Sequence, residues 1–265
     1  MYDFAYQKPA SVTDAVKLLA GDPEAKAVAG GQTFIPVLKQ RLNKPSTVVD
    51  LAGLGLSGIS VSGNTLTIGA MTTHATVARS ADVAKAIPGL VTLASWIGDN
   101  QVRHRGTIGG SLANNDPSAC YPAAVLALGA TVKTNKRAIK ADDFFQGMFS
   151  TALEADEIIT AVEFPLPVEK SAYEKFRQPA SRYAMVGVFV AKGSAGVRVA
   201  VTGAGQGGVF RVPEMEAILA KSFSPDAVAS IKISPEGLNS DIHASAGYRA
   251  HLITVMAKRA VAAAG

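Results

Sequence analysis

Two glycine pairs stand out as groups that could do chemistry. Gly30-Gly31 lies in "AVAGGQTFIP" and Gly109-Gly110 in "GTIGGSLANNDP"; each pair is near an expected helix start and is followed by small polar side chains, Gln32 and Thr33 in one case and Ser111 in the other. Glycine lets the backbone take φ > 0 and approach a ligand closely, and successive amides facing one concavity bind anions. Two such nests predict that one doubly charged group is held between them, and a pyrophosphate fits. A third run, Gly203-Ala204-Gly205-Gln206-Gly207-Gly208, matches GxGxxG. A dinucleotide fingerprint must open a helix at once, and here Val209 to Pro213 delay it, so a hairpin turn is expected.

Other chemistry finds little support. GxxxxGK[ST], GxSxG and HExxH are absent, and no pair of carboxylates suggests hydrolysis. The lone Cys120 excludes an internal disulfide and any iron–sulfur cluster held by this chain alone, since a cluster takes about four cysteines. His74, His104, His243 and His251 lack the paired spacing of zinc ligands, so no metal site is expected; His74 and His243 read as first-turn helix residues. No catalytic acid–base residue is identified.

The balance of residues bounds the remaining classes. With 48% hydrophobic and 18% charged residues over 265 positions, the chain has what a folded core requires. Its longest apolar stretches, Tyr121 to Val132 and Tyr183 to Ala191, are shorter than the ~20 residues of a membrane span. "MYDFAYQKPAS" lacks the features of an export signal, so a cytoplasmic protein without a membrane span is expected. The net charge of +5 points to an anionic partner, but the basic clusters "VRHRG" and "KTNKRAIK" have no interleaved aromatics. A small anionic cofactor is therefore expected in place of nucleic acid.

The elements that must position the glycines follow from periodicity. "SVTDAVKLLA" reads as a helix capped by Ser11, with Val12, Ala15, Val16 and Leu19 on one face. "AKAVAG" is a strand entering the first pair, Ile35, Leu38 and Leu42 mark a helix tolerating Pro36, and "STVVDL" is a second strand. "GISVSGNTLTIGA" alternates about Gly63-Asn64 as a hairpin. From residue 71 the pattern turns helical, and the second glycine pair is placed in a loop before a helix that starts at Asp116-Pro117 and ends at Gly129. Pro165 and Pro167 suggest a linker. Beyond it, "YAMVGVFVA" and "GVRVAVTGAG" read as paired strands, "PEMEAILAKSF" as a helix and "SAGYRAHLITVMAKRAVAAAG" as a long terminal helix, an α+β layer packed on the rest.

"KPASVTDAVKLLA", "AVAGGQTFIPVLKQRL", "VRHRGTIGGSLANNDP", "VAVTGAGQGGVFRVPEMEAILAKSF" and "DIHASAGYRAHLITVMAKRA" together resemble the FAD-binding medium subunit of molybdenum hydroxylases, the family of carbon monoxide dehydrogenase and xanthine dehydrogenase flavoproteins. The resemblance implies an α+β fold, with a bipartite FAD domain of the vanillyl-alcohol-oxidase (PCMH) type at 1–56 and 57–170 and a small α+β C-terminal domain at 171–265. It places one pyrophosphate loop on Ala29, Gly30, Gly31, Gln32 and Thr33 and the other on Thr107, Ile108, Gly109, Gly110 and Ser111. It places flavin contacts at Ile97 and Ile159, and a basic one at Arg177, with Lys175 as the alternative. Relatives often carry an acid where Cys120 stands, which leaves Asp116 either as a cofactor contact or as the cap of its own helix.

The expectation is a non-covalently bound FAD in an electron-relay subunit. An iron–sulfur small subunit carrying [2Fe–2S] clusters and a molybdenum (molybdopterin) large subunit would be its partners, and the latter would hold the substrate pocket. Two alternatives remain: a self-sufficient flavin oxidase or reductase, for which Tyr183 or Glu157 would be the proton donor, and a non-enzymatic interaction subunit without cofactor.

Overall fold

The computed structural model describes residues 1–265. The first strand, β1 (Ala5–Gln7), is followed by α1 (Val12–Gly21), β2 (Lys26–Val28), α2 (Phe34–Lys39) and β3 (Thr47–Asp50). The three strands form a parallel sheet in the order β1-β3-β2. Helix α1 forms where expected: the Ser11 hydroxyl accepts the N–H of Asp14 at 3.1 Å, and Ala15 and Leu19 bury against Val49 and Leu51. Helix α2 is shorter than its apolar spacing suggested. Arg41, at φ 58°, turns the chain left-handed, the Leu42 N–H bonds back to the Val37 carbonyl at 3.1 Å, and the Leu42 side chain is left exposed.

A second unit begins with the expected hairpin, β4 (Ile59–Ser62) and β5 (Thr65–Gly69), turning at Gly63 with φ 53°. Helices α3 (His74–Arg79), α4 (Ala81–Ala86), α5 (Pro88–Ser95), α6 (Asn100–Arg105), α7 (Ile108–Asn114) and α8 (Tyr121–Ala127) follow. Then come β6 (Thr131–Thr134), β7 (Ala138–Lys140), α9 (Ala141–Phe144), the small hairpin β8 (Phe145–Gly147) and β9 (Ser150–Thr151), and β10 (Ile159–Pro165). The antiparallel sheet runs β4-β5-β10-β6-β7, so the last strand enters between β5 and β6. Its Val162 and Phe164 join Leu66, Ile68, Val132 and the wholly buried α8 in the largest core.

The C-terminal unit is a four-stranded antiparallel sheet of β11 (Val168–Arg177), β12 (Ala184–Gly193), β13 (Gly196–Thr202) and β14 (Phe210–Arg211), with α10 (Pro213–Lys221), α11 (Pro225–Ala229) and α12 (Ala246–Ala263). Strand period two divides its side chains between two cores. Tyr173, Phe189, Ala191 and Ala200 face the helices of the second unit, whereas Val186, Val188, Val190, Val199 and Val201 face α10 and α12. Each fully buried Val or Phe contributes roughly 1.5–3 kcal/mol, so this sheet is welded to the rest of the molecule.

Three expectations are corrected here. No linker lies at Pro165 and Pro167: Pro165 still pairs with Thr65, the Leu166 N–H bonds to the Asn64 carbonyl at 2.8 Å, and β11 starts at Val168. The boundary expected at 170/171 therefore falls within a strand. His243 is not helical; the Asp241 carboxylate accepts its N–H at 2.9 Å and α12 starts only at Ala246, capped by Ser245. The GxGxxG run does form a hairpin connection, between β13 and β14. No helix is long and apolar enough to cross a membrane.

Candidate functional site

A cleft of about 640 Å³ opens between the first sheet, the second unit and the start of the C-terminal sheet. Ala29, Gly30, Gly31, Gln32, Thr33, Ile97, Thr107, Gly109, Gly110, Ser111, Asp116 and Ile159 all line it. Segments far apart in the chain thus meet in one concavity, of a size usual for a cofactor site.

The first glycine pair forms one wall. After β2 the chain turns at Gly31, whose φ of 71° disfavours any side chain, and enters α2 through Thr33. The amides of Gly30, Gly31, Gln32 and Thr33 donate to no group in the chain. Gln32 donates its side-chain amide to the Gly30 carbonyl at 3.2 Å, and Thr33 makes no side-chain cap bond. Gly30 has a different reason to be glycine: a Cβ there would lie 2.0 Å from the Arg105 carbonyl oxygen, so the loop rests directly on the junction of α6 and α7.

The second pair departs from expectation. Gly109 and Gly110 lie in the first turn of α7, not in a preceding loop. Thr107 is the cap, its hydroxyl accepting the Gly110 N–H at 3.1 Å, while Ile108 donates to Thr72 O at 3.2 Å, Gly109 to Ala70 O at 2.9 Å and Ser111 to Thr107 O at 3.0 Å. Each amide from Ile108 to Ser111 is satisfied within the chain, so this stretch presents the Ser111 hydroxyl and a close surface instead of a nest. Gly109 is required by packing, since a Cβ would come 2.6 Å from that of Ala70. At Gly110 a Cβ would meet only the Thr107 hydroxyl at 3.0 Å and Ala29 at 3.4 Å, which marks where the two walls touch.

Two expected contacts are not brought to the cleft. Ile108 points its side chain into the main core, with no exposed surface. Arg177 lies past a register shift at Phe176/Arg177 in β11, and that irregularity turns its guanidinium onto the Trp96 ring, 4.9 Å from the centroid. Of the two, Lys175, the alternative, is the one that lines the cleft, together with Lys26 and Arg182. Asp116 does not start a helix. Its carboxylate accepts the Ser118 N–H at 2.8 Å in a local turn, and α8 begins at Tyr121.

Several lining residues carried little sequence signal. His74, in the first turn of α3 as expected, is 5% exposed, stacks against Tyr121 at 5.3 Å and fixes Gly106 through its backbone N–H. Burial, reinforced by Arg103, lowers its pKa to about 4, so the ring is neutral near pH 7. Lys26, Phe34 and Asn43 close one part of the cleft and Tyr183 the rim. Packing there, with the nearby charge of Asp116, raises the Tyr183 phenol above its ordinary value. Glu157, whose side chain is wholly buried, takes the Arg137 guanidinium in both oxygens at 3.0 and 2.9 Å and the Thr134 hydroxyl at 2.7 Å; Arg137 above all lowers its pKa to about 2. A carboxylate so held does not serve as a proton donor near neutral pH.

The open amides, the free Thr33 and Ser111 hydroxyls and the cleft volume fit a dinucleotide-sized cofactor bearing a pyrophosphate. Comparison with known proteins agrees. The family model for the FAD binding domain in molybdopterin dehydrogenase matches residues 2–167. The chain is 39% identical to the nicotine 6-hydroxylase medium subunit of Paenarthrobacter nicotinovorans, covering 98% of this chain and 96% of that one. It is 33% identical to the carbon monoxide dehydrogenase medium chain of Afipia carboxidovorans, over 97% and 95% respectively. Among solved structures, a chain of quinoline 2-oxidoreductase from Pseudomonas putida 86 superposes with a TM-score of 0.90 at 32% identity, covering 99% of this chain and 97% of its own.

Proposed function

This chain belongs to the family of FAD binding domains in molybdopterin dehydrogenases, and on that premise we propose that it is the FAD-carrying medium subunit of a molybdenum hydroxylase. It passes electrons from the [2Fe–2S] clusters of a partner subunit, beside a molybdenum subunit, to an external acceptor. The observation that carries the reading is the row of open amides from Gly30 to Thr33, set in one cleft with the first turn of α7.

FAD supplies the redox chemistry when bound, taking up electrons and passing them on. The chain's own residues bind and orient it. The amides of Gly30 to Thr33 and the Thr33 and Ser111 hydroxyls meet the pyrophosphate, the closely packed start of α7 forms the facing wall, and Ile97 and Ile159 supply apolar surface. Ala29 and Gly110 set the separation of the two walls, Gln32 braces the first by its bond to Gly30, and Asp116 contributes to the cleft wall. The cofactor is held without a covalent bond, and the proposed compartment is the cytoplasm, where a reducing environment keeps the single buried thiol of Cys120 free.

The test is reconstitution of the full chain. Titration with FAD should give a yellow complex whose flavin stays in the supernatant after acid precipitation. The loaded chain should be inert toward purines and aldehydes alone and be reduced once the iron–sulfur and molybdenum subunits are added. Rapid reduction by an organic substrate without partners would replace the relay by a self-sufficient flavoenzyme, and a chain that takes up no FAD would end both readings.

A further inference from the structure

Lys175 is 6% exposed and lines the cleft, yet it takes part in none of the chain's ion pairs. Its ammonium donates to the carbonyl of Trp96 at 2.8 Å, to the carbonyl of Arg182 at 2.9 Å and to the Cys120 sulfur at 3.4 Å. Those acceptors use all three of its N–H donors. They also lie in three separate segments that border the cleft: the end of α5 before Ile97, the loop before Tyr183, and the residue preceding α8. Neither carboxylate of the cleft forms an ion pair with it: Glu157 is paired with Arg137, and Asp116 accepts the Ser118 N–H.

A buried cation with dipoles but no counter-charge is costly unless something in the cleft balances it. The pyrophosphate is already met by the amides of Gly30 to Thr33, and an adenine is neutral. What remains is the ring. Two electrons and one proton delivered to a flavin leave it with one negative charge. Resting on the FAD reading above, we propose that Lys175 sets the reduction potential of the bound flavin by placing an uncompensated positive charge in the wall beside the ring. With its donors spent, the lysine acts through its field and not by a hydrogen bond to the ring. It is a positioning and electrostatic residue that also ties the three bordering segments together.

The experiment is the midpoint potential of the full-length chain loaded with FAD, equilibrated against a reference dye. Lys175→Met and Lys175→Gln should each disfavour the reduced over the oxidised form about tenfold, a fall of roughly 30 mV for a two-electron couple. Cys120→Asp keeps the lysine and its two carbonyl contacts but gives the ammonium a carboxylate partner, and should lower the potential in the same direction. Lys17→Met, which removes an exposed lysine of α1 that lies outside the cleft, should leave the potential unchanged. Unchanged potentials in FAD-loaded Lys175→Met, Lys175→Gln and Cys120→Asp would overturn the inference and leave the FAD reading intact; a purely structural tie would give that result. If the Lys175 variants do not fold, Cys120→Asp decides. A wild-type chain that takes up no FAD overturns both proposals.

Discussion

Between Gly30 and Thr33 the backbone leaves its N–H groups without acceptors, whereas between Ile108 and Ser111 each N–H is already bonded within the chain. The two glycine pairs look alike as letters and act differently as structure. In the first wall, glycine permits a left-handed turn at Gly31 and thereby aims amides into the cleft. In the second, it removes volume so that a short helix can lie against Ala70 on one side and approach Ala29 on the other. A nest is made by conformation and the facing wall by packing, and the two should fail differently when altered.

The largest effect is expected where the walls touch through main chain. In Gly30→Ala the new methyl would meet the Arg105 carbonyl, which has no flexible end to move, so stability should fall at or beyond the upper end of the ~1–3 kcal/mol of overpacking, and FAD affinity with it. Denaturant unfolding and FAD titration check this, and wild-type stability would show that the loop does not rest on α6.

His74 separates the walls by pH. Its folded pKa of about 4 is below the unfolded value of ~6.5, so the unfolded chain binds the extra proton between those values. Its contribution to stability is complete above pH ~6.5 and declines by up to about 1.4 kcal/mol per unit as the pH falls toward 4. Unfolding curves across that window should flatten in His74→Phe, and Gly31 variants should retain the wild-type slope.

A smaller loss is expected in Gly31→Ala, roughly 1 kcal/mol for the left-handed conformation, together with pressure on the Ile35 side chain. Adding Ile35→Ala should relieve the pressure but not the conformational cost, so FAD affinity should recover only in part. The comparison is sharpest at Gly110, which is helical. Gly110→Ala should leave the stability of the free chain within about 0.5 kcal/mol of wild type, the helix propensity gained being offset by the 3.0 Å contact with the Thr107 hydroxyl, while weakening FAD binding because the added methyl narrows the gap to Ala29. Stability and affinity falling together there would erase the distinction between the walls.

Much of this arrangement was legible in the residues. The Ser11 cap, the Gly63-Asn64 turn and the apolar alternation of β12 and β13 are local signals that tertiary structure did not override. The second glycine pair is helical although two glycines argue against a helix; the cap at Thr107 and packing on Ala70, invisible along the chain, outweigh that propensity. Asp116-Pro117 has the composition of a helix start and the geometry of a turn. Arg177 and Lys175 differ by one strand period, and only the register shift between Phe176 and Arg177 tells which faces the cleft. His74 and Tyr183 reach the site through packing of distant segments, for which the sequence carries no periodic mark.

The position of β10 has a consequence for synthesis. Because it pairs with β5 on one side and β6 on the other, a nascent chain that has emerged only as far as the β8–β9 hairpin lacks the native partner of both strands and leaves their inner edges open. Such edges recruit other strands, and their closure waits on a contact between residues far apart in sequence, which is slow. The interval before Ile159 to Pro165 leave the ribosome therefore exposes this chain to aggregation, and a fragment ending before Ile159 should precipitate more readily than one ending after Pro167, in which both edges are closed.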